Sequence, residues 1–215
     1  MKAEESERLT VMEMETVRID GNGSVRHLVL NRPEVHNAVN GQLVADLDQA
    51  ITLLDSDPAV RVVILRGEGK SFCSGADLKQ ARGSSLDAML GSKQGAKMYD
   101  ALLHLTPITI ALCHGYMIGG GAVLPAACDF RIGSGSIKLT LNEVSIGFNL
   151  TWNSIPVLVN LVGPHRAKEM LILGRTYETD ELADYGFFTS KVDTDEELVQ
   201  AGGLRTLFRL YGPPK

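Results

Sequence analysis

Two glycine-bearing stretches hold the residues with the clearest chemical potential. One is Ser71-Phe72-Cys73-Ser74-Gly75-Ala76-Asp77-Leu78; the other is His114-Gly115-Tyr116-Met117-Ile118-Gly119-Gly120-Gly121. Each follows a buried-looking apolar run, Val62 to Leu65 and Ile108 to Cys113, and the second leads into a helical pattern. Small residues at such turns let a ligand approach the main chain and leave amide N–H groups free where a helix begins. Two such groups aimed at one point would bind an oxyanion. Either turn alone reads more readily as a structural loop; their occurrence together, at equivalent places in consecutive strand–helix units, strengthens the reading as a site. Neither is a phosphate loop, since no Gly-Lys-Ser/Thr follows and GxGxxG is absent. CxxC and HExxH are also missing, so no metal site is expected.

The composition narrows the setting. The chain has 215 residues, 44% apolar and 22% charged, which suits one globular domain with a sizeable core. A net charge of −5 without a basic run argues against nucleic-acid binding. Cys73, Cys113 and Cys128 each lie in an apolar stretch, an odd set that reads as reduced thiols and not as a disulfide framework. The charged opening MKAEESERLT is no signal-peptide core. Pro107 to Cys128 carries no Asp, Glu, Lys or Arg, but glycines at its centre suit a strand, a tight turn and a helix better than a membrane span. A soluble protein of the reducing cytoplasm is expected, with no membrane partner.

The elements that must position these turns follow from periodicity. Val11 to Ile19 and Val25 to Leu30 flank Asp20-Gly21-Asn22-Gly23, a hairpin signal. Leu43, Val44, Leu47, Ala50, Ile51 and Leu54 recur at helical spacing, with Asp46, Asp48 and Gln49 on the other face. Val60 to Leu65 is the continuous apolar strand of a parallel sheet. Leu86 to Leu105 reads as a helix, Ile108 to Cys113 as a strand, Gly121 to Ala127 as a short helix and Asp129 to Ile132 as a strand. Leu139 to Ile146 is mixed. Helices follow over Ile155 to Val162 and Arg166 to Leu173, split at Gly163-Pro164, then over Glu181 to Tyr185 and Glu196 to Leu210. Strands alternating with helices predict an α/β fold.

With the segments LNRPEVHNAVN, SFCSGADL, GYMIGGGAVLPAACDFRI and LTLNEVSIGF, the sequence resembles the crotonase superfamily, the enoyl-CoA hydratase/isomerase family. The resemblance covers Val11 to Val192 and implies a crotonase-like spiral of ββα units over residues 1–192. Residues 193–215 do not match the family's usual helical tail, which helps form its trimers. The resemblance also implies an acyl-CoA thioester ligand, no cofactor beyond the CoA of the substrate, and a homo-oligomer, a trimer or hexamer. It assigns the N–H groups of Ala76 and Gly120 to the thioester oxygen, with Gly75 and Gly119 beside them. It places Ala38, Asp77 and Lys79 near the CoA, although Lys79 reads equally as a solvated lysine and Asp77 as a helix cap.

Hydratases of the family use two glutamates, and water addition needs both a proton donor and a water activator. Here the first position holds Val123 and the second Glu143. One carboxylate with an oxyanion hole suffices to shift a double bond, and this motif is closest to the 3,2-enoyl-CoA isomerase branch. Hydratase chemistry, or a silent binding protein, is the alternative. Ile146, Phe148 and Leu150 are expected to raise the Glu143 pKa. Phe148 and Trp152 read as acyl-pocket walls or as core. Asp129, His114, Cys113 and Cys128 are expected to be structural.

Overall fold

The computed structural model describes residues 11–79 and 93–200. The chain opens with strands β1 (Met12–Glu13), β2 (Val17–Asp20) and β3 (Val25–Leu30), followed by helix α1 (Gly41–Ser56) and strand β4 (Val62–Gly67). Helix α2 (Lys93–Leu103) leads to β5 (Ile108–Cys113), β6 (Tyr116–Ile118), α3 (Gly120–Ala126), β7 (Phe130–Gly133) and β8 (Lys138–Thr140). Helix α4 (Ile155–Leu173), β9 (Thr176–Glu178), α5 (Thr179–Asp184), β10 (Ser190–Lys191) and α6 (Asp195–Gln200) complete the described elements.

Two sheets organise them. One runs in the order β1-β2-β3-β4-β5-β7-β10, and a smaller one in the order β6-β8-β9. The β2–β3 hairpin is antiparallel, whereas β3, β4, β5, β7 and β10 pair in parallel. Each pass of the chain contributes a strand to the large sheet, a strand to the small one, then a helix: β5, β6, α3, then β7, β8, α4. The pass before them touches the small sheet through a single bridge from Cys73 to Met117. This is a spiral of ββα units.

Alternation along the parallel strands explains why they read as unbroken apolar runs. Val63, Leu65, Ala111 and Cys113 face the main core, while Val62, Ile64, Ile110 and Leu112 face a second cluster that Leu198 of α6 joins. Some buried polar ties are specific to single residues. Asp129 accepts from the Thr109 N–H and hydroxyl, both at 2.8 Å, and so fastens the end of α3 to β5. Its structural role stands. His114 is a buried, hydrogen-bonded histidine, its Nε2 3.0 Å from the Gly69 carbonyl. All three cysteines are free and buried.

The structure departs from the periodic reading in several places. The first predicted strand is broken into β1 and β2 by a turn in which the Met14 N–H donates to Val17 O. Asp46 is not on a solvated face: it is 5% exposed and accepts from Thr16 N (2.8 Å) and Thr16 Oγ1 (2.7 Å), tying α1 to the hairpin. Tyr116–Ile118, read as part of a turn, is strand β6. Strands β9 and β10 are additional. The break in α4 falls where expected, with Gly163 at φ 79°, ψ 160°. Residues 86–92 of one predicted helix and 201–210 of another lie outside the described residues.

Among the described glycines the tightest approach is that of Gly121, where an added Cβ would stand 2.0 Å from the Cys73 carbonyl oxygen. Both partners are main chain, so neither can rotate away. Gly121→Ala is therefore expected to destabilise the fold by at least about 1–3 kcal/mol, the cost of overpacking. A thermal melt followed by circular dichroism measures it, and an unchanged melting temperature would show that this contact is dispensable.

Candidate active site

The first glycine turn is held by Asn37, a side chain of the LNRPEVHNAVN segment with no expected role. Asn37 is fully buried, and its Nδ2 lies 2.8 to 3.1 Å from the carbonyls of Glu68, Ser71 and Phe72, while its Oδ1 accepts from Arg32 N at 2.8 Å. Arg32 reaches on to the Ala38 carbonyl and pairs with Asp77 at 3.1 Å, both side chains nearly buried. These ties set a two-residue parallel bridge between Val39 and Ala76, in which Val39 N donates to Gly75 O and Asp77 N to Val39 O. The bridge leaves the N–H of Ala76 itself directed to the opposite side, and it donates to no main-chain carbonyl among the described residues.

The second turn is positioned by two strands at once. Ile118 N donates to Cys73 O and Gly119 N to Thr140 O, at 3.0 and 2.9 Å. Gly119 adopts φ 50°, a left-handed conformation that suits glycine, and turns the chain from β6 into α3. Gly120 is the first residue of α3, where an N–H has no intrahelical acceptor, and no main-chain partner is found among the described residues. The N–H groups of Ala76 and Gly120 thus belong to two residues that line one cleft, of about 580 Å³.

Glu143 lies across that cleft. It precedes a 3-10 turn, Val144–Ile146, and its carbonyl accepts from Ile146 N and Phe148 N, which fixes the loop. A Cβ built on Gly119 would stand 2.6 Å from Glu143 Oε1, so the missing side chain at Gly119 is what admits the carboxylate. Oε2 is buried with no hydrogen-bond partner. Burial pushes the Glu143 pKa above the ordinary carboxylate value, its own main-chain hydrogen bond opposing this weakly. Among the described residues lining the cleft, Glu143 is the sole titratable group; Ser74, Asn142 and Thr151 add neutral polar atoms.

The expected site residues divide accordingly. Gly75, Ala76, Gly119, Gly120, Glu143 and Trp152 come together around the cleft. Ala38, Asp77, Lys79 and Phe148 are not among its lining residues. Ala38 is buried, the Asp77 carboxylate is engaged by Arg32, Lys79 is exposed, and Phe148 is half-buried. A helix capped by Asp77 would fall outside the described residues. Of the apolar groups expected around Glu143, Ile146 lines the cleft, but Leu150 faces a separate apolar cavity together with Val123. Asn142 and Thr151 went unnoticed in the sequence, although Asn142 adjoins Glu143 in the same motif. The cysteines take no part as nucleophiles: burial pushes Cys73 and Cys128 up to about 12.

The raised pKa of Glu143 has a definite sign for stability. A carboxyl whose folded pKa lies above its unfolded value stabilises the fold fully below the unfolded pKa, and that stabilisation is lost as pH rises through the folded pKa. Glu143→Gln should therefore melt higher than the parent at neutral pH, with the difference shrinking toward zero near pH ~4, the unperturbed range. Paired melts across that interval check it; a variant that melts lower at pH 7 would mean the ionised carboxylate has a partner.

Comparison with known proteins identifies the family and the fold. The profile of the enoyl-CoA hydratase/isomerase family matches residues 20–206. A crotonyl-CoA hydratase of Syntrophomonas wolfei is 32% identical over 190 residues, covering 87% of this chain and 73% of that protein. A peroxisomal Delta(3,5)-Delta(2,4)-dienoyl-CoA isomerase of Arabidopsis thaliana is 31% identical over 198 residues, covering 86% and 71%. A Thermobifida fusca protein solved in complex with acetoacetyl-CoA superposes with a TM-score of 0.79 at 27% identity, covering 93% of this chain and 81% of that one. The α/β fold expected from the resemblance is the fold observed, and this chain belongs to the enoyl-CoA hydratase/isomerase family.

Proposed function

We propose that this protein binds an enoyl-CoA thioester and moves its double bond from the 3 to the 2 position, with Glu143 as the proton shuttle. The observation that carries this reading is the single ionisable group among the described cleft-lining residues, set opposite two unpaired main-chain N–H groups. The thioester oxygen would accept from Ala76 N–H and Gly120 N–H. Glu143 would take the proton from C2, the charge would spread over the dienolate oxygen now held by the two donors, and the same carboxyl would return the proton to C4. Donors aimed at the developing charge stabilise that state more than the ground state. A carboxylate with a raised pKa and no competing partner is the stronger base for the first step. The resemblance adds assembly as a trimer or hexamer to the proposal, and the three free, buried cysteines add a reducing, cytoplasmic setting. Among the described residues no helix is long and apolar enough to cross a membrane.

Hydration of a 2-enoyl-CoA is the second reading, favoured by the similarity to the Syntrophomonas wolfei crotonyl-CoA hydratase. Water addition calls for a second proton-handling group, and Val123, 4% exposed in the apolar cavity, supplies none.

Incubation with a 3-enoyl-CoA and, separately, with crotonyl-CoA discriminates the readings. Isomerisation without appreciable hydration is expected, and hydration at a comparable rate would replace the isomerase assignment. Glu143→Gln should lower isomerisation by at least ~100-fold while the affinity for a CoA ester changes little; near-normal turnover would remove Glu143 from the mechanism. In the parent, kcat/KM should fall on the acid side with a midpoint above the ordinary carboxylate range, as the direction of the Glu143 shift requires.

Gly120 offers an independent check on the oxyanion donors. A Cβ there would meet Trp152 at 3.2 Å, a tight but yielding side-chain contact. Gly120→Ala should melt close to the parent yet lose about 100-fold in kcat, the scale of a displaced oxyanion donor. Full activity in that variant would sink the assignment of this N–H.

A further inference from the structure

Trp152 is the sole tryptophan of the chain, and its setting is unusual. It is 6% exposed yet lines the cleft, and it holds φ 59° next to Asn153 at φ 56°, a left-handed pair that bulky residues seldom adopt. Its indole N–H is buried without an acceptor, so no hydrogen bond fixes the ring. Packing fixes it instead, at both ends. The edge of the six-membered ring lies against Gly120, with Cη2 and Cζ3 at 3.2 and 3.4 Å from where an added Cβ would stand. The pyrrole edge sits over Gly95 of α2, whose Cβ would fall 2.2 Å from Nε1. The ring also leans on Tyr99, at 6.4 Å between centroids. Strain and an orphaned donor persist only where the surroundings over-determine them, which is a mark of functional positions.

Gly120 has little of its own to hold it. Gly119, Gly120 and Gly121 carry no side chains, and consecutive glycines have the widest choice of backbone conformations. The N-cap Gly119 offers no side-chain hydrogen bond to the first turn of α3. The residues on either side are fixed, Gly119 N–H by the Thr140 carbonyl at 2.9 Å and Gly121 by its close approach to Cys73 O. For Gly120 itself, the three atoms nearest an added Cβ all belong to side chains: two of the indole, and Val39 Cγ2 at 3.6 Å. Val39 is the residue bridged to Ala76. The indole thus completes a run of contacts that joins the two proposed donors, from Ala76 through Val39 to Gly120.

The geometry points to Trp152 as a positioning residue for the oxyanion donor: its indole, braced on Gly95, is the packing surface that holds the Gly120 N–H on its target. The inference rests on the proposed donor role of Gly120 but not on which reaction follows binding. Donors stabilise a developing oxyanion only as far as they are fixed beforehand, so a loosened Gly120 costs rate before it costs affinity. Gly95 matters as much as the ring, because any side chain there would displace the indole from its seat.

Infrared difference spectra of the full chain with butanoyl-CoA, isotope-labelled at the thioester carbonyl, test this. They are read beside kcat for whichever of 3-hexenoyl-CoA and crotonyl-CoA the parent turns over. Two fixed N–H donors should lower the carbonyl stretch of the bound ester below its value in water. Trp152→Ala should lose most of that downshift and about 100-fold in kcat, the scale of one oxyanion donor, with butanoyl-CoA binding within a few-fold of the parent. Trp152→Phe keeps a ring against Gly120 and should retain both. Gly95→Ala raises the helix propensity of α2 and leaves every cleft-lining residue in place, yet it should lose downshift and rate. Combining Gly95→Ala with Trp152→Phe should recover them, since the smaller ring leaves room for the methyl group. That cycle retains a ring in every variant, so it decides the matter even where Trp152→Ala melts early. A folded Trp152→Ala or Gly95→Ala with the parent's downshift and kcat, or a double variant no better than Gly95→Ala, would overturn the assignment. A parent that binds no ester, or binds it without a downshift, would overturn the donor reading as well, and so is distinguishable from failure of this inference alone.

Discussion

The site depends on one close approach of main chain to main chain. Gly121 lies so near the Cys73 carbonyl that any side chain would collide with it, and Gly75 faces the Ile118 carbonyl in the same way, 2.6 Å from where its Cβ would be. Glycine at both points lets two successive turns of the spiral close to bridging distance, through Cys73 with Met117. That registration brings the Ala76 and Gly120 N–H groups to one cleft. Were the turns held apart by a methyl group, the two N–H groups proposed as donors would no longer line one cleft. The chemistry is thus a property of the spacing between layers more than of any single loop.

Around this frame the protein leaves one charge-bearing group unanswered while answering its neighbours. Arg32 pairs with Asp77, and Asp129 Oδ2 accepts twice from Thr109. Glu143 alone among the described cleft-lining residues has an ionisable oxygen with no partner. Its basicity comes from desolvation, without help from a nearby anion. A group tuned in this way costs folding free energy at neutral pH, and the buried ties of Asn37, Asp46 and Asp129 are of the kind that offset it.

How much of this could be read in the sequence varied with how local the cause was. Helix α1 was plain because Leu43, Val44, Leu47, Ala50, Ile51 and Leu54 all answer to one core, and the β2–β3 hairpin because its turn residues lie between its strands. Strand β6 was missed because its partners, Lys138–Thr140 and Cys73, are remote in the chain and three residues carry no period. The burial of Asp46 was equally hidden, since its partner Thr16 is 30 positions away. The turns around Ala76 and Gly120 were visible as glycine-rich breaks after apolar strands. The role of Glu143 came from the motif around it, because a lone loop carboxylate has no pattern of its own. Nothing in the spacing of Arg32 and Asp77 foretold their ion pair, which removes the Asp77 carboxylate from the cleft.

The three parts of the cleft come from three consecutive passes of the spiral: Ala76 from the pass after β4, Gly120 from the pass after β5, and Glu143 from the pass after β7. No contiguous fragment between any two of them contains a working set. Parallel pairing of β4 with β5 and of β5 with β7 closes long loops before any contact rewards the lost entropy, which places such a topology among the slow folders. A nascent chain leaving the ribosome therefore carries the two donors well before the carboxylate. Yet Gly119 N–H needs the Thr140 carbonyl, three residues ahead of Glu143, so the second turn is held in place only by the pass that also brings the carboxylate, and the cleft is completed in one step.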